Sequence, residues 1–380
     1  VGEVNLLPQL VDRLEAANPG CRVVVSTSTD SGYDLAVNRF GDDRVFFCPL
    51  DFTWAVSRTL RNLAPKQVVL AELELWPNLI RLAAKHGCRV AVINGRLSDR
   101  SAGRYQQFAW LTRPTFARLD WVGCQDAATL QRFADCGTTQ SRLQITGSLK
   151  FDDAPQCRDD INVQSRSQWA GIDPGHQVWV VGSTGPGEEK MALNIYNSLR
   201  GDHPELRLVL VPRHRERFEA VAELIRRSGL IARRRSDGEP QHRFEWSADR
   251  VILVDTIGEL RAWWGVGQIA TVGGSFGSRG GQNMLEPAGY GSAVSVGPDT
   301  RNFRDIAGRL IEGGGAVRVN GEAELQQFVR RCLTDITAAH ALGEAASRVV
   351  ESQRGATEKT IAALSDRKQA DPYRDQRSAA

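Results

Sequence analysis

The chain has 380 residues, 41% hydrophobic and 24% charged, the ordinary balance of a globular protein and too long for one ordinary core, so two domains of about 150 to 190 residues are expected. A net charge of +3 is too small to point to nucleic acid, and no apolar run approaches the ~20 residues that span a bilayer. Seven scattered cysteines without a C-x-x-C pair argue against a disulfide frame or a zinc site and for reduced, cytosolic thiols.

The chain opens on Val1-Gly2-Glu3 without a methionine, which reads as the end of a strand–turn unit whose first strand lies further upstream. Amphipathic stretches then predict helices over 4–17, 54–63 and 77–86, between short β-rich runs at 22–27, 44–48, 67–71, 89–94, 121–124 and 143–146. After a polar stretch at 152–167 the pattern restarts, with runs at 177–182, 206–212, 251–255, 268–273 and 293–297 and helices over 188–199 and 217–228. Apolar strands spaced by helices imply parallel, doubly wound sheets, one in each half. Residues 334–364 read as helix whose last part crosses back to the first half, and 366–380 as a polar, frayed tail. The expected boundaries are 1–155, 165–345 and a terminal segment 346–380, with a ligand cleft between the halves at the strands' carboxyl ends.

Chemistry concentrates just after the strands. Glu3 is either a general base at a sheet edge or a first-turn acid complementing a helix dipole. Glu72 and Glu74, in ELELWPN (72–78), lie two residues apart and face one side if extended; a solvated strand end is the competing reading. NGRLSDRS (94–101) offers Arg96 and Arg100 to an anionic group, or is a capped turn with surface arginines. Lys150, in GSLKFD (147–152), projects near the junction of the halves.

In the second half, Gly182-Ser183-Thr184 before Gly187-Glu188-Glu189 forms a strand–loop–helix turn. Pro212-Arg213-His214 ends a very apolar run, either as a seat for a phosphate or carboxylate or as an exposed cap continuing the basic Arg215/Arg217 face. DTIGEL (255–260) repeats the design, with Asp255 and Thr256 as expected caps and the amides of 257–259 opening a helix. Arg233-Arg234-Arg235 reads as a solvated basic face, or one that touches anionic lipid headgroups. The glycine-rich stretch 272–291 reads as a nucleotide site: glycines admit a ligand close to the backbone, residues 280–283 open a helix toward an anion, and Glu286 suits a ribose hydroxyl.

Together these segments resemble one family, the transferases of 3-deoxy-D-manno-octulosonic acid (Kdo). The motifs are VGE (1–3), ELELWPN, NGRLSDRS, GSLKFD, GST..GEE (182–189), VPRHRERF (211–218), DTIGEL, GGS (273–275) and GGQNMLEPA (280–288), in order along most of the chain. The resemblance implies an α/β GT-B glycosyltransferase with two Rossmann-like domains. The first would bind the acceptor, a lipid A precursor, and the second the donor, CMP-Kdo, with inversion and without a metal. Glu3 matches the family's proposed general base. Glu72 and Glu74 match its acidic motif on the acceptor side, where Arg96, Arg100 and Lys150 also lie. Pro212, Arg213, Ile257, Gly258, Glu259, Asn283 and Glu286 match donor-binding positions, with Ser183, His214, Gly274 and Ser275 in the same loops. The resemblance further implies lipopolysaccharide biosynthesis at the cytoplasmic face of the bacterial inner membrane, through the membrane surface or an anchor ahead of Val1, and no nucleic acid partner. Gln282 and Gly185 stand where the family usually has histidine, so altered donor affinity is expected. Two alternatives remain at this point: another GT-B enzyme of a sugar nucleotide, such as a UDP-sugar transferase or epimerase, and a non-catalytic nucleotide-binding relative.

Overall fold

The computed structural model describes residues 3–238 and 246–366. The chain divides into two compact units, Val1–Asp153 with Gln353–Ala380, and Ala154–Ser352.

In the first unit, β1 (Val25–Thr27) pairs with β2 (Val45–Phe47), and β3 (Gln67–Ala71), β4 (Arg89–Gly95), β5 (Trp121–Cys124) and β6 (Leu143–Ile145) form a second sheet in that order. Every pairing is parallel. Where one sheet was expected there are two, because among the described residues no strand bridges β1 and β3. The strands β4 and β5 are buried along almost their whole length, as apolar runs covered on both faces must be. One face packs Val56, Leu60, Ile80, Leu82, Phe116 and Phe133 from the intervening helices. The other packs the helices Leu7–Ala17 and Ala356–Ser365, through Leu10, Ile361 and Leu364, against Ala91, Ile93 and Trp121. The expected single helix over 334–364 is in fact broken. One helix ends at Thr334, a second spans Ile336–Ser352, and Gly355 takes a φ of 94° before the third. Asp152 then accepts the amides of Gly355 (2.7 Å) and Thr357 (2.5 Å), capping the helix that returns to the first unit.

The second unit holds one seven-stranded parallel sheet. Its strands are β7 (Gln177–Thr184), β8 (Leu206–Pro212), β9 (Ile231–Arg234), β10 (Arg250–Leu253), β11 (Ile269–Val272), β12 (Ala293–Val296) and β13 (Ala316–Arg318), in the order β13-β12-β11-β7-β8-β10-β9. The order reverses beside β7, which puts the loops after β7 and β11 at the sheet's topological switch point, on its carboxyl edge. Packing is tight there. A Cβ on Gly182 would lie 2.5 Å from the Trp264 ring, so that strand position admits only glycine.

Candidate active site

At the carboxyl edge of the first unit's larger sheet, two side-chain-bearing residues hold the left-handed backbone that ordinarily favours glycine. Glu72, just past β3, has φ 56°, and Asn94, where β4 bulges against β5, has φ 51°. Such strain persists only where surrounding contacts over-determine it, and bulges recur beside functional sites. The contacts are present. The Glu72 amide donates to Ile93 (2.9 Å), and the buried Asn94 side chain donates to Glu72 Oε1 (3.3 Å) while accepting the Leu149 amide (3.1 Å). Leu149 opens the turn that carries Lys150, whose Nζ lies 3.4 Å from Glu72 Oε1. One buried amide thus sets both members of an acid–ammonium pair.

Glu3 begins a short 3-10 turn, Val4–Leu6, and its side chain makes no capping bond there. Its carboxyl is pushed above the ordinary range by burial, and further by Glu72 and Glu74, with Lys150 pulling it down. The two acids of ELELWPN do not share a face of an extended strand as expected. The strand ends at Ala71, Glu72 turns into the left-handed region, and Glu74 accepts the indole N–H of Trp76 (2.8 Å). The fold nevertheless brings both close enough to Glu3 to raise its pKa. Pro77 starts the next helix, and Asp51, from an earlier loop, accepts the amides of Asn78 (2.9 Å) and Leu79 (2.8 Å). In NGRLSDRS the capped-turn reading holds for Ser98, which accepts the Ser101 amide (3.1 Å), while Arg96 and Arg100 are exposed.

In the second unit the strand ends carry the same device. Ser183 sits where β7 bulges against β8, with φ 55°. Pro212 closes β8, and the Arg213 amide donates to the Thr184 carbonyl (3.2 Å). The Arg213 guanidinium donates to Gln282 Oε1, and its pKa is lowered by burial and by neighbouring Arg279. A guanidinium whose charge is disfavoured by a second one nearby favours an anion beside it. His214 is exposed at the start of the turn that follows.

The glycine-rich turn differs from expectation. Residues 280–283 do not open a helix; only five residues, Leu285–Gly289, are helical. Gly280 is held by Asp299, which accepts its amide (2.9 Å), and by Asn302, against which a Cβ would lie 2.6 Å away. Gly274 has φ 67°, and its amide goes to Glu188 Oε2 (2.8 Å) instead of facing solvent. Ser275 is fully buried; its hydroxyl donates to Val272 (2.5 Å) and accepts from Gly297 (2.8 Å). Asn283 accepts the Leu285 amide (3.1 Å) and donates to Glu286 Oε1 (3.3 Å), so these two polar groups present themselves together.

The 255–259 turn also departs from its expected form. Asp255 is no cap: burial raises its pKa, but the Ser236 hydroxyl and Arg234 outweigh that and hold it low. Glu259 is engaged by Arg166 (2.9 Å) and Arg235 (3.1 Å), while Ile257 stands 67% exposed beside Gly258, at φ 87°. The basic cluster is therefore no solvated face. Arg233 and Arg235 stack on Trp169, 4.0 and 4.9 Å from its ring centre, and Arg234 pairs with Asp255 and Glu219.

A family model described as "3-Deoxy-D-manno-octulosonic-acid transferase (kdotransferase)" matches residues 1–153. The 3-deoxy-D-manno-octulosonic acid transferase of Haemophilus influenzae is 33% identical over 366 residues, covering 95% of this chain and 84% of that protein. The chain belongs to the Kdo transferase family. Another Kdo transferase, from Bordetella pertussis, is 32% identical over 96% of this chain and 85% of its own length. A UDP-GlcNAc 2-epimerase from Neisseria meningitidis, solved with UDP-GlcNAc, has a TM-score of 0.64 over 96% of both chains at 11% identity. That likeness speaks to the fold alone, and the fold is the two-unit GT-B class.

In this Kdo transferase several residues that organise the site were not singled out by their sequence setting. Asn94 was read only as part of an arginine motif, and its left-handed backbone is the sole local hint of its role. Arg279 lies in a glycine-rich loop and gains its meaning from Arg213 on another strand's loop. Glu188 and Glu189 look like ordinary first-turn acids, yet both are buried.

Proposed function

We propose that the chain transfers Kdo from CMP-Kdo to a hydroxyl of the lipid A precursor with inversion, Glu3 acting as general base. The observation that carries this reading is the Glu3 cluster. A base must bind a proton in the transition state, and burial beside Glu72 and Glu74 raises the proton affinity of Glu3. Lys150 and Asn94 restrain Glu72, so the acids face the acceptor as a set geometry and not as mobile charges. Arg96 and Arg100, both exposed, suit the phosphates of a bis-phosphorylated acceptor by charge.

The donor is assigned to the second unit. Arg213 and Arg279 would balance the charge that grows on CMP as it leaves, and such fixed charge is commonly worth several kcal/mol at a transition state. Asn283 and Glu286 would take the ribose hydroxyls, with Pro212, Ile257 and Gly258 against the base. The side chains of Ser275 and Glu259 are already engaged, so their part is to shape the loops. A lipid acceptor also accounts for apolar side chains left in water on the first unit: Leu50 (68% exposed), Phe52, Trp54 (71%) and Trp110 (80%). Among the described residues no helix is long and apolar enough to cross a membrane.

Mass-resolved products from CMP-Kdo and lipid A precursor test the reading. Glu3→Gln should lower turnover at least a hundredfold, about the contribution of a general base, and leave CMP binding intact. In thermal-shift titrations CMP should stabilise the chain more than UDP does. Preferential stabilisation by UDP, or full turnover by Glu3→Gln, would overturn the assignment.

A further inference from the structure

Glu188 and Glu189 open the helix Glu188–Leu199, where acids ordinarily sit at the surface and offset the helix dipole. Here they are 5% and 0% exposed. Burying two adjacent carboxylates is costly unless their oxygens are well satisfied, and theirs are, by partners on different loops. Glu188 accepts the backbone amides of Gly185 (2.6 Å), Gly274 (2.8 Å) and Phe276 (3.1 Å). Glu189 accepts the Thr184 hydroxyl (2.6 Å) and both terminal nitrogens of Arg217, one at 2.9 Å. Arg217 also donates to the Thr184 carbonyl (3.2 Å), which receives the Arg213 amide as well.

These contacts reach the loops after β11, β7 and β8, three strands that lie side by side. Gly273 gives an independent sign of how closely the first two loops meet. A Cβ there would lie 2.7 Å from the Ser183 carbonyl oxygen and 2.9 Å from Glu188 Oε2. The first glycine of GGS is thus required by the buried carboxylate and the loop it holds.

We infer that Glu188 and Glu189 are positioning residues for the donor site: one dipeptide fixes the Ser183, Arg213 and Gly274 loops in the spacing that a cytidine nucleotide needs. The inference rests on the reading of this unit as the CMP-Kdo site. Two amides of the glycine-rich turn, those of Gly274 and Phe276, are committed to the protein's own carboxylate. They serve as anchors, and anion contact falls to Arg213 and Arg279.

The test is CMP titration by calorimetry on the full chain, well below its unfolding midpoint. Glu188→Gln places an NH2 group against at least one loop amide, so that amide loses its acceptor. Its CMP dissociation constant should rise at least tenfold while circular dichroism remains native. Glu189→Gln should act in the same direction by loosening Arg217, and Gly273→Ala by pressing the two loops apart. A folded Glu188→Gln protein with wild-type CMP affinity overturns the inference, because a merely space-filling carboxylate predicts that result. If the variants do not fold, hydrogen exchange on the wild-type chain decides: slow exchange at Gly185, Gly274 and Phe276 is expected, and open-loop rates would overturn it. A wild-type chain that binds no CMP overturns the donor reading itself, whereas wild-type binding unaffected by the substitutions overturns only the positioning role.

Discussion

At the scale of single residues, Glu3 is the group whose chemistry is most exposed to test by pH. A general base works only when ionised, so activity falls as pH drops through its pKa. Burial, then Glu72 and Glu74, raise that pKa above the ordinary value of 4.5, and Lys150 opposes them. The acid limb of the kcat/KM profile should therefore lie above the ordinary carboxylate range. Removing a negative neighbour lowers the proton affinity of Glu3, so Glu74→Gln should move the limb to lower pH. Removing the positive one does the reverse, and Lys150→Met should move it to higher pH. Shifts of opposite sign identify Glu3; a limb that both variants leave in place belongs to another group. Glu72 and Glu74 were legible in the sequence because acids after an apolar run stand out, whereas Glu3, with only Val1 and Gly2 before it, was singled out by the family resemblance. Asn94 was not legible, since its work is done by a left-handed backbone and by contacts with Glu72 and Leu149, far apart in the chain.

At the scale of elements, strands buried on both faces were the easiest to read. The runs 121–124 and 206–212 coincide with β5 and β8, because an unbroken apolar segment admits few other environments. Two strands toward the sheet's ends went unread. The strand β13 has only three residues, and β9 is Ile-Ala-Arg-Arg, whose charges mask its pairing. The second omission mattered, since β9 and the turn after it carry Arg234, Arg235 and Ser236 to the 255–259 turn. The Asp255 carboxylate is 1% exposed and accepts from Arg234 (2.7 Å), the Ser236 amide (2.8 Å) and the Ser236 hydroxyl (2.6 Å). Removing an acceptor shared by several donors commonly costs ~1–3 kcal/mol, and Arg234 keeps Glu219 as a partner. Asp255→Ala should lower the urea midpoint accordingly and weaken CMP binding through the loosened turn. A loss within ~0.5 kcal/mol, the range of ordinary surface substitutions, would show that the network is incidental.

At the scale of the whole molecule, the chain's return after Ser352 decides which parts depend on which. The helix Ala356–Ser365 belongs to the first unit, although the second unit separates it from the rest of that unit in sequence. Ala356, Ile361, Ala363 and Leu364 cover the face of the sheet formed by Ala91, Ile93 and Trp121, beside Leu10 and Leu149. Asp152, the last residue of the GSLKFD motif, caps that helix two residues after Lys150 reaches Glu72. The motif therefore joins acceptor-side geometry to closure of the first unit, a link that shows only once the two distant segments meet. Ending the chain at Ser352 would expose that apolar face and strip Asp152 of both amides. Burial of a large apolar side chain is worth ~2 kcal/mol, so losing several exceeds the margin of a typical domain. The truncated chain should lose the first unit's cooperative unfolding transition, become sensitive to proteolysis within 3–153, and transfer no Kdo. Its CMP affinity should stay within about twofold of the full chain, because the core of the second unit draws on none of the removed residues. Scanning calorimetry alongside CMP titration separates the two outcomes. A truncated chain that keeps its transfer activity would show that the returning helix is dispensable, and one that loses CMP affinity would show that the donor site depends on the first unit.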